Sequence, residues 1–188
     1  MVYIIFAVSI TFHEIGHVII SRILKVKIDK PRFNFWGYSS KMNNDKFLYK
    51  ILVLLSGPAI NFIISIIICK FKINHNLKII IFYMNLFLGT INLFPILPLD
   101  GGNILKMILE QKLGFERSTK ICLFFSKVIL IIISLIYCFA IFIVKNVWIF
   151  LSLVYLWIIY IKEEEKFELY IKIKRRYEKM LAIRKKLW

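Results

Sequence analysis

Polar residues along this chain come in clusters, and between the clusters lie apolar runs of about 20 residues. A helix of that length crosses the roughly 30 Å hydrocarbon core of a bilayer. The pattern predicts about five spans: Met1 to Leu24, Phe47 to Phe71, Leu77 to Leu99, Ile121 to Val144, and Asn146 to Ile161, the last short for a full crossing. The first run lacks a basic leading region and holds ionisable residues in its middle, so it reads as a working helix, not a cleaved signal peptide. Between the first two runs, Pro31 to Tyr38 alternates aromatic and polar residues, which predicts short strands or an interfacial loop. Such a segment serves as an aromatic membrane anchor or as an edge strand that receives an extended substrate. Beyond Ile161, charged residues alternate with Phe167, Tyr170, Ile171, Tyr177, Leu181 and Trp188. That stretch predicts a basic amphipathic helix on an anionic membrane surface, with a solvated tail as the alternative because the apolar residues form no single stripe.

The expected fold is therefore all-α: a polytopic transmembrane helical bundle of about five spans, with a small cytoplasmic-side β/aromatic loop and a basic amphipathic C-terminal helix. Two parts are expected, a membrane domain over residues 1–161 and a basic cytoplasmic tail over 162–188. No internal repeat interrupts this order.

Composition supports the membrane reading, because 60% of the residues are hydrophobic where soluble domains hold about 45–50%. The formal net charge of +16 would fit a nucleic-acid partner, but its distribution argues against one. Threading the spans gathers nearly all the Lys and Arg on one side, while the other has little beyond Lys70, Lys72 and Lys145. The positive-inside bias makes the rich side cytoplasmic, with Met1 outside and the C-terminus inside a cell membrane. Cys69, Cys122 and Cys138 all lie in apolar runs without close spacing, so they read as core residues and not as a metal cluster or disulfide framework.

The chemistry concentrates in the first run. His13-Glu14-Ile15-Gly16-His17 sets two imidazoles four residues apart, on one helical face and one turn from each other, where both can reach one ion. Glu14 can accept a proton from a water activated by that ion and return it to a leaving amine. The bare pattern is moderately specific, but its place inside an apolar span is not cheap, and intramembrane ionisable residues usually serve a site. The alternative is a set of polar residues that pair with neighbouring helices for stability alone. A catalytic zinc takes three protein ligands and leaves one position open. Of the three Asp residues, Asp29 and Asp45 sit in a polar loop, whereas Asp100 ends the third run. Around it, Pro95 and Pro98 break the helix and Gly101-Gly102 permits a sharp turn. Irregular backbone near membrane depth is tolerated only when buried in protein or lining a wet cavity. Asp100 is the expected third ligand, although an Asp-Gly turn would explain it as well.

Asn92 could donate to a substrate carbonyl or to the developing oxyanion, with a helix-packing hydrogen bond as its rival role. Ser56 to Asn61 supplies small residues for close helix approach, with Asn61 as a polar lock. His75 reads as a loop residue.

His13-Glu14-Ile15-Gly16-His17, then Gly57-Pro58-Ala59-Ile60-Asn61, then Asn92 to Gly102 ending in Leu-Asp-Gly-Gly, resemble in order the three signatures of the site-2 protease family, peptidase family M50. Within it the chain looks like the stage IV sporulation protein FB type, on its Pro-Ile-Leu-Pro-Leu-Asp-Gly-Gly stretch and the Glu-rich, Tyr-containing segment after the last run. The resemblance implies one zinc ion held by His13, His17 and Asp100, Glu14 as general base, and substrate contacts at Asn92 and Pro98. It implies a membrane-associated protein substrate, of the pro-sigma-K kind, and allows membrane inhibitor proteins. That type also carries one more span before the metal-binding helix and a CBS domain after the last, neither of which matches this chain. The function expected is intramembrane zinc proteolysis; the alternative is a non-catalytic zinc-binding membrane protein or metal transporter. Glu14 separates the two, since binding alone requires no carboxylate there.

Overall fold

The structure, a computed structural model, describes residues 2–26, 44–144 and 147–186. Six helices follow one another: α1 Val2–Ile23, α2 Asn44–Ile68, α3 His75–Asn92, α4 Asp100–Leu113, α5 Phe115–Val144 and α6 Val147–Lys186. There is no strand among the described residues, and the expected β/aromatic loop over Pro31 to Tyr38 lies outside them.

Among the described residues, three helices are long and apolar enough to cross a membrane: Val2–Ile23, Phe47–Ile68 and Phe115–Cys138. The protein is a multi-pass membrane protein with three such helices, where the apolar pattern predicted about five. The third predicted run falls short because α3 stops at Asn92 and carries His75, Asn76, Lys78, Asn85 and Asn92, which dilute its apolar character. The fifth differs because its apolar half continues without a break into the charged stretch, giving one helix from Val147 to Lys186.

The packing is inverted relative to a soluble protein. On α1 the buried residues are Ser9, His13, Gly16 and Ser21, whereas Ile4, Phe6, Phe12, Ile19 and Ile23 point outward. On α2 the buried set includes Ser56, Asn61 and Ser65. Lipid is as apolar as leucine, so helices in a bilayer gain from close contact through small residues and from polar groups hidden between them. Ser65 shows this on α2, its hydroxyl reaching Phe82 O of α3 at 3.2 Å.

α1, α2 and α3 pack on one another; α4 packs on α5, and α5 on α6; α2 touches α4. The apolar core lies in the second group, where Ile96, Leu97, Cys122, Leu123, Leu130 and Tyr160 are buried together. Of the three cysteines, only Cys122 is a core residue; Cys69 and Cys138 are exposed on the protein surface, and all three are free thiols. Two of the core residues, Ile96 and Leu97, belong to the irregular segment 93–99 that the prolines predicted. Their burial pins that segment to α5 and sets where α4 begins.

Candidate metal centre

The four-residue step on α1 turns both imidazoles toward α2 and the start of α4. His13 Nε2 lies 3.2 Å from His17 Nε2. Asp100 Oδ2 stands 3.2 Å from His13 Nε2 and 3.4 Å from His17 Nε2. All three side chains are buried or nearly so. Asp100 is not on a turn, as an Asp-Gly pair allowed, but is the first residue of α4.

The protonation of this group follows from its neighbours. His17 Nδ1 is 2.7 Å from Val53 O, which can only accept, so Nδ1 carries the proton and a neutral ring presents its Nε2 lone pair. Holding the far nitrogen on a backbone carbonyl is the usual way a ligand histidine is oriented. Val53 lies in α2 one residue before Leu54, whose carbonyl Pro58 leaves without its helical amide partner, and Val53 O itself also accepts from the Ser56 hydroxyl at 2.6 Å. Asp100 Oδ2 is buried and accepts no hydrogen bond, and His13 Nδ1 has no partner among the described residues.

Two imidazole nitrogens and a carboxylate oxygen converge on one point, where a cation would meet a lone pair from each. Ligands at about 2.0–2.1 Å around a tetrahedral ion stand roughly 3.3 Å apart. The observed separations of 3.2, 3.2 and 3.4 Å match that spacing. Two imidazoles and a carboxylate are also a donor set that suits zinc and leaves a fourth position free.

Close approach of α2 makes the arrangement possible. A Cβ built at Gly57 would collide with His17 Nε2 and Cε1 and would lie 2.7 Å from His13 Cε1, so only glycine fits beneath the two rings. The same holds at Gly101, where a Cβ would strike Leu93 O and Phe94 O of the irregular segment folded over the first turn of α4.

Glu14 does not join the donor group; its side chain is exposed on the adjoining face of α1, close enough for its charge to be felt at His17. Asn92 ends α3, and its Nδ2 donates to Leu88 O at 2.9 Å, within its own helix. Pro98 precedes Asp100 by two residues, and its carbonyl accepts from Asn103 Nδ2 at 2.7 Å. Asn61 is fully buried with neither side-chain polar atom hydrogen-bonded among the described residues. His75 is the exposed first residue of α3.

Two supporting residues carry no signal in the motifs. Ser126 on α5 accepts from Leu97 N at 2.9 Å, fastening the segment that leads to Asp100. Val53 contributes only a carbonyl, which no side-chain pattern reveals. Ser126 is one of two serines in the apolar run Ile121 to Val144, and nothing in the run points to its partner 29 positions away.

The fold and the site together define a polytopic helical membrane protein in which two histidines and a carboxylate converge as a group that could hold a metal ion. Comparison with known proteins makes the assignment narrower. The model of "Peptidase family M50" matches residues 70–133. A zinc metalloprotease of Methanocaldococcus jannaschii is 35% identical over 128 residues, covering 64% of this chain and 38% of that protein. A relative from Synechocystis is 28% identical over 118 residues, 58% of this chain and 31% of its own length. The matched region thus spans about a third of the length of the curated relatives. The solved site-2 protease from Methanocaldococcus jannaschii superposes with a TM-score of 0.63 at 30% identity, over 86% of this chain and 76% of that one. This chain belongs to the site-2 protease family, peptidase family M50.

Proposed function

We propose that the protein is an intramembrane zinc metalloendopeptidase that hydrolyses a peptide bond in a membrane-associated protein. The observation that carries this reading is the spacing of His13 Nε2, His17 Nε2 and Asp100 Oδ2, which suits one tetrahedral ion. Zinc held by these three atoms would supply Lewis-acid polarisation of the scissile carbonyl and of the attacking water. Glu14, next to His13 on the same helix, takes the proton from that water and returns it to the leaving amine. Its exposure fits this role, because a base that meets water and substrate must lie open to them. Asn92, just before the segment that leads to Asp100, donates to the substrate backbone once its amide leaves Leu88 O, and Pro98, within that segment, also contacts the substrate.

The finer reading is a protease of the stage IV sporulation protein FB type, with residues 162–188 as a cytoplasmic tail and a pro-sigma factor as substrate. The support for these points is the motif order and the one-sided distribution of Lys and Arg. A non-catalytic zinc-binding protein or a metal transporter is the competing function, and Glu14 speaks against it.

The decisive test is co-expression with a membrane-tethered pro-sigma factor, comparing wild type with Glu14→Gln and Asp100→Asn. Wild type is expected to cleave. Glu14→Gln should lose about 10²–10⁴-fold in rate while keeping its zinc, and Asp100→Asn should lose both rate and zinc. Undiminished cleavage by Glu14→Gln would refute the general-base assignment. Labelling of single cysteines placed in the tail, from each side of sealed membranes, tests the orientation.

A further inference from the structure

Where α5 begins, its first two turns lie against the charged half of α6 and enclose a cleft of about 710 Å³. That is within the roughly 300–1,000 Å³ of ordinary small-molecule sites. Phe115 and Tyr170, with ring centroids 5.1 Å apart, close the two helices at this level. The cleft lies at the end of a membrane-crossing helix, Phe115–Cys138, and beyond the apolar half of α6, which is the depth of lipid headgroups.

Its lining carries a surplus of two positive charges. The internal pairing accounts for some of the cations and not for the rest. Lys174 is held between Glu116 and Glu178, and Lys172 lies 3.7 Å from Glu168. Contact with Glu116 holds the Lys174 ammonium above the ordinary lysine range, so that bridge across the two helices stays charged. Arg117, Lys120 and Arg175 line the same cleft and form no ion pair among the described residues. Phe167 and Ile171 supply an apolar wall beside them.

We propose that this cleft is a binding site for the headgroup of an anionic phospholipid, taking the phosphodiester on Arg117, Lys120 and Arg175 and the start of the acyl chains against Phe167 and Ile171. Arginine and lysine clusters at the membrane surface recognise anionic headgroups in this way, and a planar guanidinium suits a phosphate in particular. The mixed lining favours a lipid over a free phosphate ion, which has no use for the apolar wall. A lipid bridging α5 and α6 here would hold the charged half of α6 at the bilayer surface.

The test uses the full chain purified in detergent and exchanged into mixed micelles with equal phosphatidylglycerol and phosphatidylcholine, with retained lipid counted by native mass spectrometry. Wild type is expected to retain phosphatidylglycerol selectively. The triple variant Arg117→Gln, Lys120→Gln, Arg175→Gln should lose that retention by about tenfold or more. A charge-matched control outside the cleft, Lys162→Gln, Arg176→Gln, Lys179→Gln, should keep it. Should the triple variant misfold, judged by lost zinc, Arg175→Gln alone at its exposed position should still weaken retention severalfold. Equal retention of the two lipids by wild type, an equal loss in the control, or displacement of the lipid by millimolar inorganic phosphate would each overturn the proposal.

Discussion

At the scale of single residues, the centre depends as much on what is missing as on what is present. The imidazoles of His13 and His17 approach α2 only because Gly57 has no side chain. Gly57→Ala should therefore displace one ring or both and weaken zinc binding by about 10–100-fold, the usual cost of disturbing the groups behind metal ligands. Competition with a chromophoric chelator measures this directly, and wild-type affinity in the variant would show that α2 yields without moving the rings. The half-buried Lys106 on α4 presents a different case. Burial holds its ammonium below the ordinary lysine range, against the opposing pull of Glu163 and Glu110. A group whose pKa is lowered on folding contributes stability only above its unfolded pKa, and that contribution is lost as pH falls through the folded value. At neutral pH the charged side chain is therefore a cost, partly offset by its place 4.6 Å from the Phe115 ring centroid. Lys106→Met is expected to raise thermal stability near pH 7 by on the order of 1 kcal/mol, with the advantage shrinking toward alkaline pH; a lower melting temperature at pH 7 would contradict it.

At the scale of elements, the segment 93–99 decides where Asp100 stands. Its two prolines remove regular helix, and its residues Ile96 and Leu97 are buried in the core that α5 and α6 form. Ser126 on α5 completes the attachment by accepting the Leu97 amide. Ser126→Ala leaves that buried amide without a partner, a loss of about 1–3 kcal/mol. The expected result is a lower melting temperature together with reduced zinc affinity and cleavage. Ser134→Ala provides the comparison, because its hydroxyl accepts from Trp157 Nε1 at 3.0 Å between α5 and α6, away from the segment. It should lower stability to a similar degree while leaving zinc affinity unchanged. If both variants lose zinc equally, Ser126 has no positioning role.

At the scale of the whole molecule, the ligands come from two packed groups, with His13 and His17 on α1 and Asp100 on α4. An ion shared between them would tie the groups together, and its binding free energy would add to the stability of the assembled bundle by mass action. Removing zinc with a chelator should lower the melting temperature in detergent. It should also increase hydrogen exchange in α1 and in the first turn of α4 more than in α5. Uniform protection in the metal-free protein would mean that helix packing alone holds the two groups in register.

How far the sequence determined this protein varies from feature to feature. The membrane class, the two histidines with Glu14 between them, and the broken helix before Asp100 are local properties. They depend on composition, on a four-residue step and on proline chemistry, all of which act over a few residues. The number of helices apolar enough to cross was overestimated, because an apolar run shows neither that α3 would stop at Asn92 nor that α6 would continue past Ile161. On α2 the inward face was legible, since Asn61 is buried as the small residues around it implied, whereas on α1 the burial of Ser9 and Gly16 beside His13 was not. The convergence of Asp100 with His13 and His17 was an expectation from ligand counting until the fold gave it distances. Only tertiary structure could reveal the Val53 carbonyl, the Ser126 hydroxyl and the room left by Gly57, because each acts through contacts between residues far apart in the chain.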